Sequence, residues 1–140
     1  MKQNTKLSKK VRKHILNLSY KAKSSHVGSC LSIVDILTVL YNDIFNKKNK
    51  KNFILSKGHA CLALYSILYE KNILSKKDFL TFGKDNSLLM NHASHYVSGV
   101  NFSTGSLGHG LPVATGLALS LKLKKDKNKV FVLISDGELN

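Results

Sequence analysis

The chain has 140 residues, 43% hydrophobic and 21% charged, a balance that suits one folded domain with its own core. A single proline among nine glycines excludes collagen-like and low-complexity classes, and no apolar run is long enough to predict a membrane span. The net charge of +14 is nearly all lysine, with Arg12 the only arginine. Base-specific recognition leans on the arginine fork, so this composition reads as AT-rich codon usage with a surface that favours anionic ligands. A basic nucleic-acid-binding protein is an alternative supported by charge alone.

The first thirteen residues are polar and basic, and no apolar secretory core follows them, so the expected location is the cytoplasm. Leu7, Val11, Ile15, Leu18 and Ala22 recur every three or four positions and predict an amphipathic helix over Leu7 to Lys23. After a polar break, Ser32 is a candidate N-cap for a second helix, with Asp35 near its positive end. Ile33, Val34, Ile36, Leu37, Val39 and Leu40 make that helix apolar on most sides, which predicts deep burial. Cys30 and Cys61 form no C-x-x-C pair; one disulfide is formally open, and buried thiols are the expectation.

Asn46 to Asn52 reads as a surface connector, Phe53-Ile54-Leu55 as a short strand, and Ala60 to Glu70 as helix. Ser75 with Asp78 marks another helix start, running to about Phe82. Gly83 to Gly110 shows no period and is expected to be mostly loop; so long a loop in a compact domain is usually functional or disordered. Leu111 to Lys124 predicts a helix with Pro112 in its first turn. Val130 to Ile134 is the strongest strand, and its continuous apolar run predicts burial on both faces in a parallel sheet. The order implies an α/β fold, in which ligands bind beyond the carboxyl ends of the strands. Asp136 lies at that end of the last strand.

Four segments join glycine, histidine and small polar residues: Ser25 to Ser29, Ser56 to Ala60, Ser103 to Gly110 and Ser135 to Glu138. Glycine lets backbone approach a ligand closely, and a glycine-rich turn opening a helix cradles anions. Asp136 suits Mg²⁺, which takes one or two carboxylates together with phosphate oxygens. With Asn91-His92-Ala93-Ser94, the order of these segments resembles the transketolase family across essentially the whole chain, residues 1–140. Leu55 to Ala60 and Ser103 to Leu111 carry the most specific likeness.

The resemblance implies the N-terminal part of a thiamine-diphosphate-binding, three-layer α/β domain with a parallel sheet incomplete at its C-terminal end. It implies thiamine diphosphate and Mg²⁺ as cofactors and transfer of a two-carbon ketol unit between sugar phosphates. Asp136 would then bind the Mg²⁺, and Gly137 and Gly105-Ser106-Leu107 would contact the cofactor. His59 would lie beside both diphosphate and substrate, and His26 and His92 would bind substrate hydroxyls and move protons, a role suited to histidine. Outside the resemblance, His95 reads as a surface residue, His109 either faces the cofactor or caps a helix, and Glu138 reads as a solvated or packing residue.

Val27, Ala93, His109 and Ser135 depart from the family's usual proline, proline, glutamine and glycine, and point toward relatives encoded as two subunits. The family completes its Mg²⁺ site with an asparagine well beyond the Asp-Gly pair and takes an essential glutamate from another domain, whereas this sequence ends at Asn140. The expectation is therefore a chain inactive alone, completed by a missing C-terminal part, a homodimer or a C-terminal transketolase subunit. A truncated inactive remnant is the alternative.

Overall fold

The computed structural model describes residues 2–45 and 52–139. Six α-helices are described: α1 (Lys2–Ala22), α2 (Val27–Leu31), α3 (Val34–Val39), α4 (Cys61–Glu70), α5 (Lys76–Phe79) and α6 (Gly110–Leu123). Strands β1 (Phe53–Leu55) and β2 (Phe131–Leu133) pair in parallel, with Phe53 opposite Phe131 and Leu55 opposite Leu133. The architecture is α/β, as the order of elements predicts.

Helix α1 begins five residues before the predicted start, and its apolar stripe works as expected: Val11, Ile15 and Leu18 are buried against α3 and α4. Charged contacts fix the helix on both sides of that stripe. The Arg12 guanidinium donates two hydrogen bonds to Asp35, at 2.7 and 3.1 Å. Glu70, at the end of α4, takes Lys10 at 2.9 Å and His14 at 2.8 Å. The His14 ring also stands edge-on to Tyr69 and Phe79, at 5.3 Å from each.

Helix α2 falls in the stretch expected to be a polar break, and the second predicted helix, expected after Ser32, is α3 followed by a π-helical turn (Leu40–Ile44). Ser32 is not its cap; the hydroxyl donates back to the Ser29 carbonyl, and Ile33 precedes α3 without a side-chain cap. Nor is α3 buried on most sides, since Ile36 and Val39 are 51% and 41% exposed. Val27–Ile44 has a mean hydropathy of 1.4 over 18 residues, enough by length and composition to cross a membrane. One face of it joins the core, where Cys30, Ile33, Val34, Leu37 and Tyr41 pack with α1 and α4. Tyr41 and Phe45 continue the packing onto the sheet through Phe53 and Phe131.

Most of the predicted connector over Asn46 to Asn52 lies outside the described residues. Strand β1 is fully buried, and so is α4 from Cys61 to Leu68. Cys30 and Cys61 are both buried free thiols. Ser75 caps α5 by accepting the Asp78 N–H at 3.0 Å, but the helix ends at Phe79, three residues short of expectation. Residues 83–109 form irregular chain, tied down by one antiparallel bridge between Ala93 and Thr104.

Strand β2 departs from its expected burial: Phe131 and Val132 are half-buried and only Leu133 is buried. The cause is topological. Among the described residues β2 has β1 on one side and no strand on the other. Helix α6 packs on both strands, yet Leu119 and Leu123 on it are 55% and 76% exposed.

Burial alone would raise the Glu70 carboxyl pKa, but the hydrogen bonds and charges of His14 and Lys10 outweigh it and hold Glu70 below the usual carboxylate range. The folded pKa lies below the unfolded one, so this pairing contributes stability above the carboxylate range and loses it as pH falls through the folded value. Glu70→Gln should cost about 2 kcal/mol at neutral pH, measured by urea unfolding, and the difference from wild type should shrink in acid.

Candidate functional site: a histidine cluster and a glycine turn beyond the strand ends

Three loops deliver three histidines to one place. His26 precedes α2 in the left-handed region, at φ 68°. That conformation is uncommon for a residue with a Cβ and marks a constrained position. His59 lies in the 3₁₀ turn Gly58–Ala60 that leaves β1. His92 comes from the irregular segment, where its carbonyl accepts the Tyr65 hydroxyl at 2.9 Å. The His59 ring centroid is 4.7 Å from both His26 and His92, and those two are 6.5 Å apart.

Close backbone packing holds the loops together. The Ala93 N–H donates to the Gly58 carbonyl at 3.2 Å, and the Thr104 N–H to the Ala93 carbonyl at 3.0 Å. A Cβ on Gly58 would lie 2.2 Å from the Thr104 carbonyl oxygen, so only glycine permits this approach. The edge of β1 away from β2 is occupied by side chains: Thr104 Oγ1 donates to the Leu55 carbonyl at 2.5 Å, and Asn101 Nδ2 to that of Phe53 at 3.0 Å. Gly105 follows directly and lies against the His92 ring; a Cβ added there would stand 3.1 Å from His92 Cδ2.

Of the predicted cofactor turn, Gly105 is half-buried while Ser106 and Leu107 are exposed. Asp136 and Gly137 are exposed in the 3₁₀ turn Asp136–Glu138 that follows β2. Glu138 joins the two turns. Its Oε1 accepts the Ser56 hydroxyl at 2.5 Å and the Gly108 N–H at 3.0 Å; its Oε2 accepts the Ser135 N–H at 2.8 Å and the Ser135 hydroxyl at 3.0 Å. Ser56, fully buried, accepts the Gly110 N–H at 3.1 Å in return.

Sequence reasoning missed Ser56 and Glu138 as a unit. The Ser-x-x-Glu spacing of Ser135 and Glu138 is a capping-box signal for the local half of the network, but nothing in the sequence shows the contact with Ser56, 82 residues away. His109 precedes α6 without a side-chain cap bond, which removes the capping reading. His95 is exposed and pairs with the Ser103 hydroxyl at 2.7 Å, in keeping with a surface residue.

Desolvation lowers the His59 pKa first, the neighbouring His92 and His26 lower it further, and Glu138 pulls weakly upward. His59 is therefore biased toward the neutral ring. For Glu138, burial works upward but is outweighed by the Ser56, Ser135 and Gly108 donors, which keep it ionised.

The donor set fits a diphosphate with its metal. Backbone at a glycine turn opening a helix suits an anion, and the exposed Asp136 carboxylate suits Mg²⁺ shared with phosphate oxygens. Among the described residues no group of three or more His, Cys, Asp or Glu could hold a metal alone. A separate cavity of about 470 Å³, lined by Leu74, Ser75, Thr81, Ser87 and Tyr96 among others, holds none of the predicted site residues. The histidine cluster, where four predicted segments meet, is the better candidate for chemistry.

Comparison with known proteins identifies the family. Residues 3–140 match the family described as "Transketolase, thiamine diphosphate binding domain", and the chain belongs to that family. It is 41% identical over 138 residues to one subunit of the apulose-4-phosphate transketolase of Phocaeicola vulgatus, covering 94% of this chain and 49% of that one. The subunit of the same name from Actinobacillus succinogenes is 38% identical, covering 96% and 52%. The chain thus spans about half the length of these relatives. Among solved structures, transketolase from Leishmania mexicana superposes with a TM-score of 0.82 at 24% identity, covering 97% of this chain and 23% of that one, which establishes the fold.

Two outcomes follow from the packing and charge of the site. His92→Asn should raise the His59 pKa toward the ordinary imidazole value, read by NMR titration of the ring protons. Gly110→Ala, whose Cβ would fall 2.4 Å from Ser56 Cβ, should cost about 1–3 kcal/mol in denaturant unfolding.

Proposed function

We propose that this chain supplies the diphosphate-binding side of a thiamine-diphosphate-dependent transferase that moves a two-carbon ketol unit between sugar phosphates. The observation that carries the reading is the meeting of His26, His59 and His92 over the Gly105 turn, with centroids 4.7 to 6.5 Å apart. Thiamine diphosphate, when bound, supplies the carbanion chemistry at the carbon–carbon bond.

The protein's part is positioning, charge and proton handling. Asp136 would hold the Mg²⁺ that accompanies the diphosphate, and the backbone of Gly105-Ser106-Leu107 and Gly137 would contact the cofactor. His59, biased toward its neutral form, can accept a hydrogen bond from a substrate hydroxyl or donate one to a phosphate oxygen. His26 and His92 flank it, and their ring nitrogens can hydrogen-bond the hydroxyls of a polyhydroxylated substrate.

We further propose that a second polypeptide or a further segment completes the site. Relatives named as single subunits of a transketolase support this, as does the apolar surface of α6, where Leu119 and Leu123 stand exposed. Surface of that kind commonly marks an interaction site.

Calorimetric titration with thiamine diphosphate and Mg²⁺ tests the reading. The wild-type chain, with its partner where one is needed, should bind both together, and Asp136→Asn should weaken binding by at least about tenfold through loss of a charged metal ligand. Binding unaffected by that substitution would refute the assigned metal role. No binding in any combination, and no ketol transfer with a partner chain, would refute the function.

A further inference from the structure

We infer that Glu138 is the positioning residue that presets the Gly105-Ser106-Leu107 turn for a diphosphate, an inference that rests on the function proposed above. Four donors converge on this one side chain: the Ser56 hydroxyl, the Gly108 N–H, the Ser135 N–H and the Ser135 hydroxyl, at 2.5 to 3.0 Å. Only an ionised carboxylate, with two acceptor oxygens and no proton to place, takes all four.

Its position gives the network its purpose. The turn has two anchors. Upstream, Thr104 is fixed by its bridge to Ala93 and by its bond to the Leu55 carbonyl. Downstream, Gly108, at φ +84°, is fixed by Glu138 Oε1. Gly105, Ser106 and Leu107 lie between, and Ser106 and Leu107 are exposed. The same oxygen holds Ser56, whose hydroxyl oxygen takes the Gly110 N–H at the start of α6. One carboxylate therefore joins the tip of β1, the tip of β2, the glycine turn and the first residue of α6. Holding backbone donors at a fixed spacing before a ligand arrives removes the ordering cost from binding. Because both carboxylate oxygens are committed to protein donors, Glu138 serves the site through Gly108 and Ser56, and Asp136 remains the group for the metal.

The experiment uses the full chain, with partner where cofactor binding requires it, as wild type, Glu138→Ala and Glu138→Gln. Amide hydrogen exchange is read at Gly108 and Gly110 without ligand, and binding of thiamine diphosphate with Mg²⁺ is read by calorimetry. In Glu138→Ala the two glycine amides should exchange at least about tenfold faster, amides of α1 should be unchanged, and the cofactor Kd should rise by a similar factor. Glu138→Gln retains an acceptor for one side of the network only and should fall between the other two in both readouts. Unchanged glycine exchange, or faster exchange with unchanged Kd, overturns the inference. Faster α1 exchange in Glu138→Ala marks general destabilisation, and Glu138→Gln then decides: a raised Kd with normal α1 exchange supports the inference, and a normal Kd overturns it. Faster glycine exchange with no cofactor binding even in wild type refutes the functional reading, and with it the purpose assigned to Glu138.

Discussion

The parallel pairing of β1 with β2 brings the two strand-end turns of the site side by side. Its register places Leu55 opposite Leu133, so the chain leaves both strands at the same level and Ser56 meets the turn that follows Ser135. The Ser56 N–H donates to the Leu133 carbonyl at 2.8 Å, which locks the two strand tips side by side. A shift of one residue would turn Ser56 to the opposite face, separating it from Glu138 and from the start of α6. Ligands in open α/β sheets bind beyond such strand ends, and here the histidines and glycine turn gather there.

The rest of the chain supports those two strand ends. Helix α4 is buried along nearly its whole length and follows His59 without a break, so the position of that histidine is set by core packing. Helix α1 covers α4 and α3 and is fixed by charged contacts to both. The irregular segment lacks secondary structure, yet Tyr65, Gly58 and Leu55 each hold one of its residues. It is a long loop made rigid where it meets the site, as loops that carry function often are.

Local pattern made much of this readable in the sequence. The stripe of Val11, Ile15 and Leu18, the run Phe53-Ile54-Leu55 and the Ser75 cap are short-range signals, and the elements formed where they pointed. The glycine- and histidine-rich segments were visible too, and their order carried the family likeness. Burial was overestimated for α3 and β2, because apolar content does not say how many neighbours an element acquires; β2 has one strand beside it among the described residues. Ser32 does not cap α3 because its hydroxyl turns back to Ser29, in helix α2, which the polar composition of that stretch does not announce. Glu138 reads from the sequence as a solvated or packing residue, and its long-range donors at Ser56 and Gly108 are contacts that no local pattern displays.

The central claim is that the two strand-end turns and the three histidines border one metal–diphosphate pocket. Paramagnetic relaxation tests it directly: Mn²⁺ with thiamine diphosphate is added to isotope-labelled protein and NMR signal broadening is mapped along the chain. The account predicts selective broadening at Gly105 to Gly110, at Ser135 to Glu138 and at the His59 ring, with α1 unaffected. Broadening confined to only one of the two turns, or centred on the cavity beside Ser75 and Thr81, would contradict it.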